Sequence, residues 1–217
     1  MATFVLIHGG GGTASGWDLV ADELAECGHD TVAMDLPCDE PSAGWSEYTD
    51  AVVDAMRGRD ECVVVSHSAG GFVAPLVCDR VPSELMVFVA GMVPAPGETF
   101  MGWWTNTGYE EETGGFSEGL DVFYHDVPPD LAAADMEGGE GREYFPKEPW
   151  PLEAWPDVPT RYLLCRDDRL FPPRFTRRVV SERLGISPEE MDGGHCVFLS
   201  RPKELAEVLD AFWKEAR

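Results

Sequence analysis

The apolar run Cys62-Val63-Val64-Val65 passes without a break into Ser66-His67-Ser68-Ala69-Gly70. A buried strand that ends on small residues and continues as a helix requires a sharp turn, with Ser68 at the bend. The turn sets a serine hydroxyl at the positive end of a helix, and the small neighbours let the backbone reverse. The string matches the nucleophile-elbow pattern G-x-S-x-G, with Ser66 in place of the first glycine. Alone it is a serine-rich strand-to-helix turn. It becomes a nucleophile if the chain also supplies a base and an oxyanion site in the required order.

The rest of the chain alternates in a way that suits such a turn. Strands are predicted over Thr3–His8, Thr31–Leu36, Cys62–Val65, Leu85–Ala90 and Arg161–Cys165, with a short one at Glu190–Met191. Helical periodicity covers Trp17–Cys27, Tyr48–Met56, Ala69–Cys78, Pro173–Leu184 and Pro202–Trp213. Pro75 should kink the third of these or end its regular part. In the last, Leu205, Val208, Leu209 and Phe212 form one stripe. Continuous apolar strands alternating with helices predict an α/β fold, a mostly parallel six-stranded sheet covered on both faces. Residues 93–159 break the alternation, with much Gly, Pro, Trp and acid and a weak helical patch at Pro129–Met136. An excursion of that length is expected to be a cap inserted after the fourth strand of a single 1–217 domain.

Composition narrows the partners. Forty acidic against sixteen basic residues give a formal charge of −24, which makes nucleic acid and anionic membranes poor partners. The hydrophobic fraction of 44% is globular, and the apolar runs are strand-length, too short to cross a bilayer. The N-terminus enters a strand with no basic leader, so a cytoplasmic location is expected. The six cysteines include no C-x-x-C and no Cys/His cluster of zinc spacing, and are expected to be free thiols with no metal site; Cys62 and Cys165 lie in core-like runs.

A serine hydroxyl needs a base and a group to orient that base. Of five histidines, His29 lies in a turn expected to be exposed, His67 should point into the fold as packing, His125 lies in the excursion, and His8 should shape the first loop. His195, in Asp192-Gly193-Gly194-His195 after the last strand, has both the loop context and the chain position of a base. The orienting acid should precede it. Asp168, in Arg166-Asp167-Asp168-Arg169 after the fifth strand, is the choice, with Asp167 as the near alternative. Oxyanion donors are assigned to the N–H groups of Gly10, in His8-Gly9-Gly10-Gly11-Gly12, and of Ala69. The glycine run fits neither phosphate-loop pattern. Trp103 and Trp104 are the candidate pocket residues, with Tyr109, Phe116, Phe123 and Tyr124 also in the excursion.

The order Ser68, Asp168, His195, with His8-Gly9-Gly10-Gly11 upstream, resembles the α/β-hydrolase superfamily over nearly the whole chain. The short N-terminus looks like the compact plant-type methylesterase and hydroxynitrile-lyase group and its bacterial relatives. The resemblance implies the α/β-hydrolase fold and a cofactor-free enzyme of the carboxylesterase type, acting on a small ester through an acyl-enzyme. It leaves the oligomeric state open, with a homodimer among the options. Lyases of that group resemble this chain less, because Cys196 follows the histidine where they carry lysine, and Gly9 stands in place of their threonine. Lactone opening, C–C cleavage or lyase chemistry on the same triad, and a non-catalytic ligand-binding homologue, are the alternative readings.

Overall fold

The computed structural model describes residues 1–115 and 119–217. β1 (Thr3–Ile7), β2 (Asp30–Ala33), β3 (Cys62–His67), β4 (Leu85–Val89), β5 (Thr160–Cys165) and β6 (Glu189–Met191) form one sheet in the order 2-1-3-4-5-6. Every pairing is parallel, so the C-terminal ends of all six strands lie on one edge. The chain reverses direction across the sheet between β1 and β3, where open α/β sheets form their ligand crevice.

The central strands are apolar because both of their faces are covered. Val5, Ile7, Val64, Met86 and Phe88 enter one core; Phe4, Leu6, Val63, Val65 and Val87 enter the other. This is the two-residue alternation of an extended chain. On the first face pack α2 (Trp45–Ala55), α3 (Ala74–Arg80) and α8 (Pro173–Leu184), through Tyr48, Val52, Val77, Phe175 and Val179. On the second pack α1 (Asp18–Glu26), α9 (Val197–Ser200) and α10 (Pro202–Glu215), through Val20, Leu24, Val197, Leu205 and Leu209.

The helix predicted over Ala69–Cys78 forms in two pieces. Ser68–Phe72 is a 3-10 turn, and α3 starts only at Ala74, with Pro75 in its first turn. Proline has no N–H to close an α-helical bond back to Gly71, but it is well placed where a helix begins. Pro75 thus starts the regular helix instead of ending it.

Between β4 and β5 the chain carries α4 (Phe100–Asn106), α5 (Tyr109–Thr113), α6 (Asp121–Tyr124) and α7 (Pro129–Gly139). Only α7 was visible as a patch, and it runs three residues beyond the predicted Met136. The excursion is tied down by buried polar contacts. Trp103 Nε1 donates to the Val93 carbonyl at 2.9 Å, Trp150 Nε1 to that of Phe72 at 2.9 Å, and Arg183 pairs with buried Glu98 at 2.6 Å. Phe116 lies outside the described residues. Among those described, no helix is long and apolar enough to cross a membrane.

Two glycines allow the strands and the elbow to approach. A Cβ on Gly70 would lie 2.6 Å from the His8 carbonyl oxygen, and one on Gly71 would collide with that of Met92. Gly71→Ala should therefore destabilise the fold by about 2–3 kcal/mol and lower the Tm by roughly 5–10 °C. A calorimetric Tm within a degree of wild type would show that the Met92 segment yields freely.

Candidate active site

Because the sheet is parallel, the segments after β1, β3, β5 and β6 all emerge at the same edge. They carry Gly10, Ser68, Asp168 and His195. Ser68 sits at φ +48°, in the left-handed region, which turns its side chain out of the strand line. His195 Nε2 lies 3.0 Å from Ser68 Oγ, and Nδ1 lies 2.9 Å from Asp168 Oδ2. The other carboxylate oxygen of Asp168 accepts the N–H groups of Leu170 (2.8 Å) and Phe171 (2.9 Å). An acceptor held in this way makes Nδ1 the protonated nitrogen and leaves Nε2 to receive the serine proton. Asp167 turns away from the imidazole: its Oδ2 accepts Gly193 N–H at 3.2 Å, and its own N–H donates to the Gly193 carbonyl.

The N–H groups of Gly10 and Ala69 have no acceptor among the described residues, and a Cβ on Gly10 would lie 4.0 Å from that of Ala69. Ser66 is fully buried within β3, between Ile7 and Phe88, and its hydroxyl donates to the Val87 carbonyl. That position is ordinary extended strand, so a small residue suffices and glycine is not required.

Ser68 and His195 border a small cavity of about 50 Å³, lined also by Gly10, Trp17, Phe123 and Asp135. The pocket assignment of Trp103 and Trp104 differs from their placement. Trp103 is 1% exposed and packs on Phe171 and Phe175, while Trp104 faces a separate surface groove with Met101 and Tyr109. The indole N–H of Trp103 needs a buried acceptor, and Val93 supplies it on the core side. Phe123 and Tyr124 of the same excursion reach the cavity instead.

Three other histidines have defined partners. His8 Nδ1 donates to the Gly9 carbonyl and its Nε2 accepts Leu36 N–H. His67 Nε2 donates to the carbonyl of His195 itself, at 2.9 Å. It thus supports the loop that carries His195 as well as packing the core. Burial lowers the pKa of both rings, that of His67 well below the usual value. His29, expected at the surface, is 6% exposed; it accepts Ala2 N–H and donates to Asp210. Cys196 lines the cavity, and burial raises its thiol well above the ordinary range, so it is held as the unreactive thiol. Among the described residues no His, Cys, Asp and Glu group could hold a metal ion.

The model of the alpha/beta hydrolase family matches residues 4–208, and the chain belongs to this family. The compact plant-type group is represented among its relatives. A probable esterase of Oryza sativa, PIR7A, is 27% identical over 95% of this chain and 94% of its own length. Polyneuridine aldehyde esterase of Rauvolfia serpentina is 24% identical over 95% of the chain and 93% of its own length. Among solved structures, an extracellular α/β-hydrolase of a Paenibacillus species superposes with a TM-score of 0.76 at 24% identity, covering 96% of this chain and 98% of its own. That likeness establishes the fold.

The buried imidazoles of His8 and His67 set an acid limit on stability. Both are neutral in the fold and take up a proton near pH 6.5 when unfolded, so the unfolded chain binds more protons below that pH. Their stabilisation is present above pH 6.5 and is lost as pH falls, at up to about 1.4 kcal/mol per pH unit for each ring. The urea midpoint should drop between pH 7 and pH 5, and His8→Asn should flatten the slope. A midpoint constant over that interval would contradict the assignment of neutral rings.

Proposed function

We propose that the protein is a serine hydrolase that cleaves small carboxylic esters through an acyl-enzyme. The observation that carries this reading is the unbroken chain Ser68 Oγ, His195 Nε2, His195 Nδ1, Asp168 Oδ2. In it, Ser68 attacks the ester carbonyl as His195 takes its proton. Asp168 holds the imidazole in the correct tautomer and stabilises the imidazolium. The N–H groups of Gly10 and Ala69 receive the oxyanion. A donor pair of this kind contributes several kcal/mol when it is prearranged. His195 then returns the proton to the departing alcohol, and water repeats the sequence to release the acid. Residues 93–159 act as the cap, supplying Phe123, Tyr124 and Asp135 to the cavity wall. The relatives named as esterases support the same reaction class.

A second reading is favoured by relatives named norfluorocurarine synthases of Strychnos species, one of them 25% identical over 95% of this chain. In this reading Ser68, His195 and Asp168 run a chemistry other than ester hydrolysis. A stoichiometric burst of p-nitrophenol from p-nitrophenyl acetate supports the acyl-enzyme; turnover of esters without any acylation step counts against it.

Ser68→Ala should retain the fold and lose esterase activity by about 10⁴-fold or more. Unchanged hydrolysis in this variant would remove the central assignment. Asp168→Asn should lower kcat by about 10⁴-fold, and Asp167→Asn far less, because Asp167 holds only the loop backbone. The reverse order would move the orienting acid by one residue.

A further inference from the structure

The described lining of the cavity beside Ser68 includes one carboxylate, Asp135 of α7, and no lysine or arginine. Its Oδ2 accepts the Tyr124 hydroxyl at 2.8 Å. Its Oδ1 has no hydrogen-bond partner among the described residues, yet is not sealed in the core. The other ionisable groups around it carry no negative charge. Burial holds His8 and His67 neutral and keeps Tyr124 and Cys196 protonated. The cavity shares Gly10, Gly11, Phe123 and Tyr124 with an outer groove of about 440 Å³ that carries Glu137, Glu140 and Glu143. Acidic side chains thus lie both in the cavity beside Ser68 and in the groove that adjoins it.

A desolvated carboxylate with one free oxygen favours a donor, and a cationic donor most. Burial raises the Asp135 carboxyl above the usual carboxylate range. A cation beside Oδ1 would reverse that imbalance, and a second anion would worsen it. We propose that Asp135 is a specificity-determining residue that selects esters carrying an ammonium group, which donates N–H to Oδ1, and that Glu137, Glu140 and Glu143 draw such cations toward the cavity. This inference rests on the hydrolase reading of Ser68 and names the substrate class of that site: small amine-bearing carboxylic esters. Esters with a free carboxylate are disfavoured by the same charge.

The test compares kcat/KM for three methyl esters: β-alanine methyl ester, its uncharged isostere methyl butanoate, and monomethyl succinate. The wild type should favour the cation over the isostere by about tenfold or more and should use the anion least. Asp135→Asn should lower the cation-to-isostere ratio by about tenfold. The wild-type ratio is informative even where that variant fails to fold. Binding of β-alaninamide against butanamide, followed by NMR titration on Ser68→Ala, separates selection from chemistry. Ester turnover with a ratio near one in the wild type overturns the role of Asp135 and leaves the hydrolase reading standing. Cation-selective binding, lost in Ser68→Ala/Asp135→Asn, with no turnover of any ester upholds Asp135 and overturns the hydrolase. Unselective binding with no turnover overturns both.

Discussion

Ser68 occupies a backbone conformation, φ +48°, that costs a non-glycine residue about 1–2 kcal/mol. Its surroundings leave it little alternative. The Ser68 carbonyl accepts Met92 N–H at 2.8 Å, which ties the turn to the segment after β4. Ala90, in that segment, also lies in the left-handed region, at φ +44°. Two adjacent strands thus end in paired, mutually braced turns. Gly9 fits beneath the turn, where a Cβ would lie 2.9 Å from that of Ser68. The strain is local and the restraint comes from three strands, so the hydroxyl has a fixed direction before any ligand arrives.

The imidazole is held from the opposite side by loops on β5 and β6. Adjacent aspartates divide the work. Asp168 takes the imidazole and two backbone N–H groups, while Asp167 pairs with Gly193 of the histidine loop. The excursion adds a third restraint, because Asp126 Oδ2 accepts Gly194 N–H at 2.7 Å. His67 adds a fourth through the His195 carbonyl. The residue before Ser68 therefore supports the residue whose imidazole meets the Ser68 hydroxyl. A change at His67 or Asp126 would displace His195 without touching its side chain, and a misplacement of about 1 Å can cost positioned catalysis about 10²-fold in rate.

What the sequence made legible was local. Strands β1, β3 and β4 were visible because burial on both faces makes their apolar runs continuous. Ser68, Asp168 and His195 were visible because each follows a strand directly, and a parallel sheet gathers strand ends. What failed to show depended on partners far along the chain. His29 is buried by Ala2 and Asp210, which are 27 and 181 residues away. Trp103 reads as a pocket residue until Val93, Phe171 and Phe175 enclose it. Asp135 is one acid among forty in the sequence, and nothing in its neighbours separates it from the surface set.

Placement makes that separation. Part of the acidic surface is matched by arginine: Glu190 meets Arg166 and Arg177, and Glu112 meets Arg174 and Arg178. Pairs of this kind near solvent contribute little to stability, but they neutralise the local field. Asp135 has only a phenol for a hydrogen-bond partner among the described residues, and its half-buried place in the cavity wall screens its charge less than open solvent would. A charge of −24 spread over a solvated surface acts weakly at any one point, because salt screens it within about 10 Å. One carboxylate inside the cavity acts strongly on whatever shares that space. The composition of the chain therefore sets its solubility, and a single half-buried cavity carboxylate sets the charge that the cavity accepts.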